Sequence, residues 1–379
     1  MNKEKILKDL IEFKTVSETE NNSLVNYIVK YLNDFGIESS VLYGTDNQSN
    51  LYARIGPDRD GGILFSGHTD VVPVEGQNWS FNPFTATESN GKIYGRGSAD
   101  MKGFLAVVLS LIPEMKKKTL KKPIHIFFSY DEEIGCVGIK KAIPFIQKMK
   151  KKPKYCIVGE PTNMQLVTKH KGKKNFVVIF KGIESHSSLP NDGVNSIEYA
   201  ANFINFLQRV QENLKKKDYL DKNFDPPYST INVGKIGGGI ALNIVPKSCQ
   251  LEFEIRNLPN LDINSFTKNI RNYLKELEKK MKTSNKKAKI LFKAEDSFPG
   301  LDTKDNRLIV NLGLNSLRSN KTSTVSFGTE AGVFNNLGIE TIVCGPGNIK
   351  QAHKPDEFVK KNQLQKCELF LQRIIKSIN

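Results

Sequence analysis

The chain has 379 residues, 39% of them hydrophobic and 25% charged, and carries a net charge of +16. That length supports one large or two medium domains with proper cores, and the composition excludes a globally disordered chain. No apolar run approaches the roughly 18 residues of a membrane span; the longest, "FLAVVLSLI" (Phe104 to Ile112), stops at Pro113.

The N-terminal "MNKEKILKDLIEF" mixes charge with apolar residues at helical spacing and lacks the apolar core of a secretory signal, so a cytoplasmic protein without a membrane partner is expected. The excess charge lies in lysine clusters, such as Met115 to Lys122 and Lys148 to Lys154. These lack the interleaved aromatics and arginines that base stacking and bidentate readout use. They are read as solvated helix ends and loops, with no nucleic-acid partner. Five scattered cysteines, never in C-x-x-C spacing, point to free thiols in a reducing compartment rather than a disulfide or zinc-ribbon framework.

In chain order, residues 3 to 13 and 21 to 35 have the periodicity of amphipathic helices. Apolar runs then alternate with helical segments: "SNLYARIG", "GILFSGH", a helix from Lys102, "IHIFFSY", a helix from Gly138, and "YCIVGE". That alternation predicts an α/β domain with helices on both sides of a sheet. The pattern changes after "KHKGKK". A strand "NFVVIFKG", a helix over about 193–214, strands "STINVGKIGG" and "SCQLEFEIRNL", a helix over about 263–282 and a strand "KAKILFKAE" follow. This βαββαβ order is that of a ferredoxin-like α+β unit. From about Phe298 the α/β pattern resumes, with helix "NRLIVNLGLNSL", strand "TIVCGPG" and a last helix over about 361–378. The expected division is one domain of residues 1–172 and 296–379, interrupted by a second of residues 173–295.

Four predicted strands end in residues able to bind metal. "ILFSGH" leads to His68 and Asp70, "IHIFFSYDEE" to Asp131, Glu132 and Glu133, "YCIVGE" to Glu160, and "TIVCGPGNIKQAH" to His353. Asp100 lies in the glycine-rich "GRGSADMKG", which has neither Walker nor Rossmann spacing. Ligands of open α/β sheets collect at the carboxyl ends of strands. Several carboxylates buried together are costly unless cations neutralise them. Two histidines with three carboxylates suit two borderline cations that share one carboxylate. Of the other histidines, His125 and His170 read as structural. His186, in "GIESHSSLPNDGVNS", reads either way.

In this order, "LFSGHTDVVPV", "GRGSADMKG", "DEEIGC", "GEPT", "GIESHSSLPNDGVNS" and "QAHKPDEF" resemble the M20 family of co-catalytic metallopeptidases and deacylases, over nearly the whole chain. The resemblance implies a zinc-peptidase-like catalytic domain, a mixed sheet flanked by helices, with the inserted ferredoxin-like unit as a lid and dimerisation domain. It implies that His68 and Glu160 hold one metal, Glu133 and His353 the other, and that Asp100 bridges them and precedes a cis peptide. Asp70 would orient His68 by accepting a hydrogen bond from its second ring nitrogen, and Glu132 would be the general base. His186 would stabilise the oxyanion, from its own or a partner subunit, and Asn243 and Arg256 would contact a substrate carboxylate. "SFGTEAG" and "CGPGNIKQAHKPDEFV" resemble the branch that deacetylates N2-acetyl-L-ornithine in arginine biosynthesis. There Thr329 and Glu330 would be substrate contacts, Glu330 toward the side-chain ammonium. A succinyl-diaminopimelate desuccinylase or a broad N-acyl-amino-acid deacylase is the alternative. The implied cofactors are two divalent metals, with zinc the default and cobalt fitting the same ligands. The implied partners are a small N-acyl amino acid and, through the inserted domain, a second copy of the chain.

Overall fold

The computed structural model describes residues 1–45 and 47–378. The chain divides into two compact units. The first comprises Met1–His170, Leu301–Thr324 and Thr329–Asn379, and the second Lys171–Gly300 and Val325–Gly328.

The first unit is built on a mixed sheet. Its strand order is Ser39–Tyr43, Ser49–Ile55, Ile124–Ser129, Ile63–His68, Tyr155–Pro161, Glu340–Gly345, Val167–His170 and Leu301–Asp302, with a ninth strand off this path. The four strands Ile124–Ser129, Ile63–His68, Tyr155–Pro161 and Glu340–Gly345 run parallel. Three of them are buried along their whole length, as parallel strands covered on both faces must be. That is why they read in sequence as continuous apolar runs. Helix Lys102–Ser110 is buried over eight of its residues. It packs so close to the strand Tyr155–Pro161 that a Cβ on Gly159 would lie 1.9 Å from Phe104 Cγ. Lys102 is itself buried and donates its ammonium protons to the carbonyls of Leu10 (3.0 Å) and Phe13 (2.8 Å).

The second unit contains a four-stranded antiparallel sheet in the order Thr230–Gly238, Ser248–Asn257, Gly172–Lys181, Lys289–Phe298. With helices Ser196–Leu214 and Ile263–Ser284 this is the βαββαβ arrangement. Alternation along Ser248–Asn257 buries Cys249, Leu251, Phe253 and Ile255. Phe176 stacks on Phe253 at a ring separation of 4.8 Å in the same core.

Several boundaries differ from the sequence expectation. The strand Lys289–Phe298 stays paired with Gly172–Lys181 as far as Phe298 opposite Lys173, so the second unit runs to Gly300 rather than ending at 295. Val325–Gly328 also belongs to it: Ser326 donates to the Asp225 carbonyl at 2.6 Å. The helix expected from about 193 starts at Ser196, because Asn195 caps it by accepting from the N–H groups of Ile197 and Glu198. The segment from Lys102 is two helices, Lys102–Ser110 and Ile112–Lys117, with Pro113 in the first turn of the second.

Candidate metal centre

The site forms where the four parallel strands end. Ile63–His68 carries His68 as its last residue, and Tyr155–Pro161 carries Glu160 next to last. Ile124–Ser129 runs out into the turn with Glu132 and Glu133, and Glu340–Gly345 into the loop with His353. Asp100 closes the loop before helix Lys102–Ser110, and the Asp100–Met101 peptide is cis.

Asp100 presents its two carboxylate oxygens to the two histidines, Oδ1 at 3.2 Å from His68 Nε2 and Oδ2 at 3.6 Å from His353 Nε2. Glu160 Oε1 is 3.8 Å from His68 Nε2, and Glu133 Oε2 is 3.0 Å from His353 Nε2. The five expected ligands thus converge, His68 and Glu160 on one side of Asp100, Glu133 and His353 on the other. Ligand atoms of His68, Asp100 and Glu133 lie within 4.8 Å of one another, and so do those of His68, Glu132 and Glu160. Glu132 therefore stands as near this cluster as an expected ligand does.

Asp70 departs from its expected role in one respect. His68 Nδ1 donates to the main-chain carbonyl of Asp70 at 2.9 Å, and the carboxylate is farther, at 3.4 Å. This still fixes the tautomer that leaves Nε2 for a metal. The carboxylate is occupied instead by the N–H groups of Glu132 (3.1 Å) and Glu133 (3.3 Å) and by the hydroxyl of Ser17 (2.8 Å). Asp70 thus holds the acidic turn as well as the imidazole. Ser17 carried no signal in the sequence. Asp131 caps other elements, accepting from the Glu18 N–H and from Gln48.

The charges are unevenly balanced. Burial pushes Glu160 well above the usual carboxylate range, and the neighbouring Asp100 adds to it. Burial and Asp100 likewise push Glu133 up to about 7, against the pull of His353. Burial raises Glu132 well above its ordinary value, with His68 opposing and Glu133 adding. His68 is raised: burial acts against its charge, but Asp100 and Asp70 outweigh it. Lys102, the nearest buried ammonium in sequence, faces backbone carbonyls instead. Three carboxylates around two imidazoles are an oxygen- and nitrogen-rich donor set that needs added positive charge. The residues therefore fit divalent cations.

Two expected substrate contacts, Thr329 and Glu330, are buried. Thr329 is fully buried; its hydroxyl oxygen accepts from the Ala331 N–H at 3.0 Å and is 3.1 Å from His170 Nε2. Its hydroxyl thus serves the turn that leads into helix Ala331–Asn336. Glu330 is 1% exposed, as buried as His68, and its charge acts on Glu132. Burial pushes the Glu330 carboxyl up to about 7, and among the described residues neither of its oxygens has a hydrogen-bond partner. The motif identified a chemical type at these positions but not its depth.

His186, Asn243 and Arg256 belong to the second unit. His186 is exposed, with Nδ1 2.7 Å from the Ser188 hydroxyl. Its strand-like backbone pairs with Ile244, and the Asn243 carbonyl accepts from the Ser187 N–H. Arg256 Nε donates to Glu254 at 3.1 Å.

The pattern of the family described as Peptidase family M20/M25/M40 matches residues 64–377. The chain belongs to this family. Among curated M20 relatives, "Acetylornithine deacetylase" of Pasteurella multocida (strain Pm70) is 34% identical over 361 residues, 94% of this chain and 91% of that protein. "Acetylornithine deacetylase" of Shigella sonnei (strain Ss046) is 34% identical over 378 residues, 97% and 96% of the two chains. Among solved structures, the M20 family metallo-carboxypeptidase Sso-CP2 from Sulfolobus solfataricus superposes with a TM-score of 0.80 at 20% identity, covering 100% of this chain and 99% of that one. That likeness shows the shared fold. As an M20 member the chain is a hydrolase of the deacylase or peptidase type, and the family implies divalent metals. Among the described residues, no helix is long and apolar enough to cross a membrane.

Proposed function

We propose that this protein hydrolyses the acetyl amide of N2-acetyl-L-ornithine, giving acetate and L-ornithine in arginine biosynthesis, with two divalent cations at the centre described above. The observation that carries the reading is the pair of oxygens of Asp100, each turned toward a different histidine. The choice of substrate rests on the 34%-identical relatives. His68 and Glu160 would hold one cation, Glu133 and His353 the other, and Asp100 would serve both. Zinc suits this donor set by default and cobalt fits it equally. When bound, such cations polarise an amide carbonyl and lower the pKa of water.

Glu132 moves the proton. Its Oε1 accepts from the Cys136 thiol at 3.3 Å, which leaves Oε2 to take the proton of the attacking water. The raised proton affinity that burial gives this carboxyl favours its taking the proton from water. The proton then passes to the amine nitrogen as the C–N bond breaks. Asp70 fixes the backbone of Glu132 and so the reach of its carboxylate. His186 would donate to the carbonyl oxygen as it gains charge. Arg256 has the planar fork that matches an α-carboxylate, with Asn243 beside it in role. Glu330 would pair with ornithine's side-chain ammonium; among the described residues neither of its oxygens has a hydrogen-bond partner. We read the protein as a cytoplasmic homodimer joined through the second unit.

The test compares turnover of N2-acetyl-L-ornithine with that of N-succinyl-diaminopimelate, before and after chelation. Preference for the acetylated substrate, lost with the metal and restored by zinc or cobalt, is expected. Preference for the succinylated one would sink the deacetylase assignment. Activity that survives chelation would sink the metal reading.

A further inference from the structure

We propose that Glu357 is a positioning residue that locks the bridging carboxylate and the second histidine of the metal centre into one frame. This rests on the two-cation reading above. Glu357 is 1% exposed and follows His353 by four residues. Its Oε1 accepts from the main-chain N–H groups of Ala99 (2.8 Å) and Asp100 (3.1 Å). Its Oε2 accepts from the Gly97 N–H (3.0 Å) and from Arg96 Nη1 (2.8 Å). Its own carbonyl accepts from the Gly95 N–H at 2.9 Å. One residue therefore fixes the backbone of the loop that ends in Asp100.

Arg96 carries the same frame to His353. It too is 1% exposed. Its Nη1 also donates to the Lys354 carbonyl at 3.2 Å, and its Nη2 donates to Gln77 Oε1 at 2.7 Å. Gln77 Nε2 in turn donates to the His353 carbonyl at 3.0 Å. The indole of Trp79 lies against the guanidinium, 4.9 Å from its carbon, and adds a cation–π contact. Two loops far apart in sequence are thus tied through one carboxylate and one guanidinium.

The physical reason is geometric. Asp100 serves two cations only if its carboxylate stands between both histidines, and a carboxylate cannot be held in place by its ligands alone before they bind. The hydrogen bonds of Glu357 hold the main chain beneath it. A buried Arg–Glu pair is weak evidence for stability, because desolvation offsets most of its attraction. It is well suited to hold a position, since a charged acceptor with four donors tolerates little displacement. Among the described residues, the hydrogen bonds of this frame end on the main chain of Asp100 and of His353, and neither His68 nor Glu160 takes part in them. Asp100 faces both histidines while the Arg96–Gln77 path reaches His353 alone, so both steps should weaken, and the one on the Glu133–His353 side more.

The test uses the full chain, stripped of metal and titrated with cobalt(II) by calorimetry in a competing chelator, with metal-free melting recorded alongside. The wild type should bind two equivalents. Glu357→Gln, which turns an NH2 group toward a donor, should weaken one step by about 10- to 100-fold, as loss of an outer partner of a ligand does. The other step, which shares Asp100 but not His353, should weaken by clearly less. Gln77→Ala cuts the path from Arg96 to His353, together with the acceptor of Trp79 Nε1, in a loop outside the strands, and leaves Glu357 with its four donors. It should weaken the same step with metal-free melting unchanged, which keeps the proposal testable if Glu357→Gln does not fold. Two wild-type affinities in the variants, or an equal loss at both steps, would overturn the positioning role. A wild-type chain that binds a single cation would instead defeat the two-cation reading, and the proposal with it.

Discussion

Glu132 and Glu133 are neighbours in sequence, and Asp70 binds the N–H group of each, yet only Glu133 contacts a histidine within 3.0 Å. Replacing Glu132 with Gln keeps the shape and removes the base. Turnover should fall by about 10²- to 10⁴-fold, while metal content, read by elemental analysis, stays at the wild-type value. Loss of metal would make Glu132 a ligand, which its closeness to His68 and Glu160 allows. His125 supports a prediction about pH. Tyr52 donates its hydroxyl proton to Nδ1 at 2.8 Å and Nε2 donates to the Gly61 carbonyl at 3.1 Å, so the neutral ring is satisfied. Burial holds its imidazole down to about 4, against 6.5 for the free side chain. Below the free value the unfolded chain takes up a proton that the folded chain refuses. Stability from this group is therefore complete above that value and falls as the pH drops toward 4. At about pH 5.5 the loss is about 1 kcal/mol. In the metal-free chain, urea unfolding of His125→Gln should lose that much less between about pH 7.5 and 5.5 than the wild type does; an identical loss would remove His125 as a cause. At this scale the sequence was informative where a polar residue ended an apolar run, as at His68 and Glu160. It was silent where depth mattered: "GTEAG" gave no sign that Thr329 and Glu330 would be buried. Nor did it show that Ser17, Arg96 and Glu357 would meet the site across the fold.

The four parallel strands were legible because burial on both faces leaves their residues almost uniformly apolar. The short strands Thr87–Ser89, Lys92–Tyr94 and Phe358–Lys360 were not. They form a three-stranded sheet of their own, but three residues hold too little alternation to mark a strand. What they do is local: Phe358 pairs with Tyr94, which sets Glu357 beside Gly95. The helix Lys102–Ser110 supports a prediction at the same scale. It meets the strand Tyr155–Pro161 where Gly159 faces Phe104, itself fully buried. An Ala at Gly159 would overlap the ring, so strand and helix must separate or the ring must leave its rotamer. Overpacking of this kind costs about 1–3 kcal/mol, readable as a lower urea midpoint. Glu160 is the next residue, so zinc affinity should fall at least about ten-fold in the same variant. A stable variant with weakened zinc would mean that the strand shifts without loosening the core. A variant with both values unchanged would show that the contact has room to relax.

The second unit raises the question of what covers its exposed apolar residues. Thr230–Gly238 is the terminal strand of its sheet, with Ile236 54% exposed. The chain beyond it carries Ile240 at 81% and Leu242 at 102% exposure. An open edge flanked by apolar side chains is a template for pairing with a second copy. Ile244, at the end of the same segment, pairs with His186, so a seam between two copies there would lie against that histidine. These observations lead to one experiment on the whole molecule. Glu132→Gln and His186→Ala should each be nearly inactive alone. Refolded together in equal amounts, half of the dimers would carry one chain of each kind. If His186 serves the partner's centre, every mixed dimer has one site with both native residues and one with neither. Activity should then recover to about a quarter of the wild-type value, and light scattering should report a dimer. If His186 serves its own chain, each site in the mixture lacks one group and no activity returns. Recovery is the expected outcome. Its absence in a proven dimer would place the histidine's work within one chain, and a monomer would remove the seam altogether.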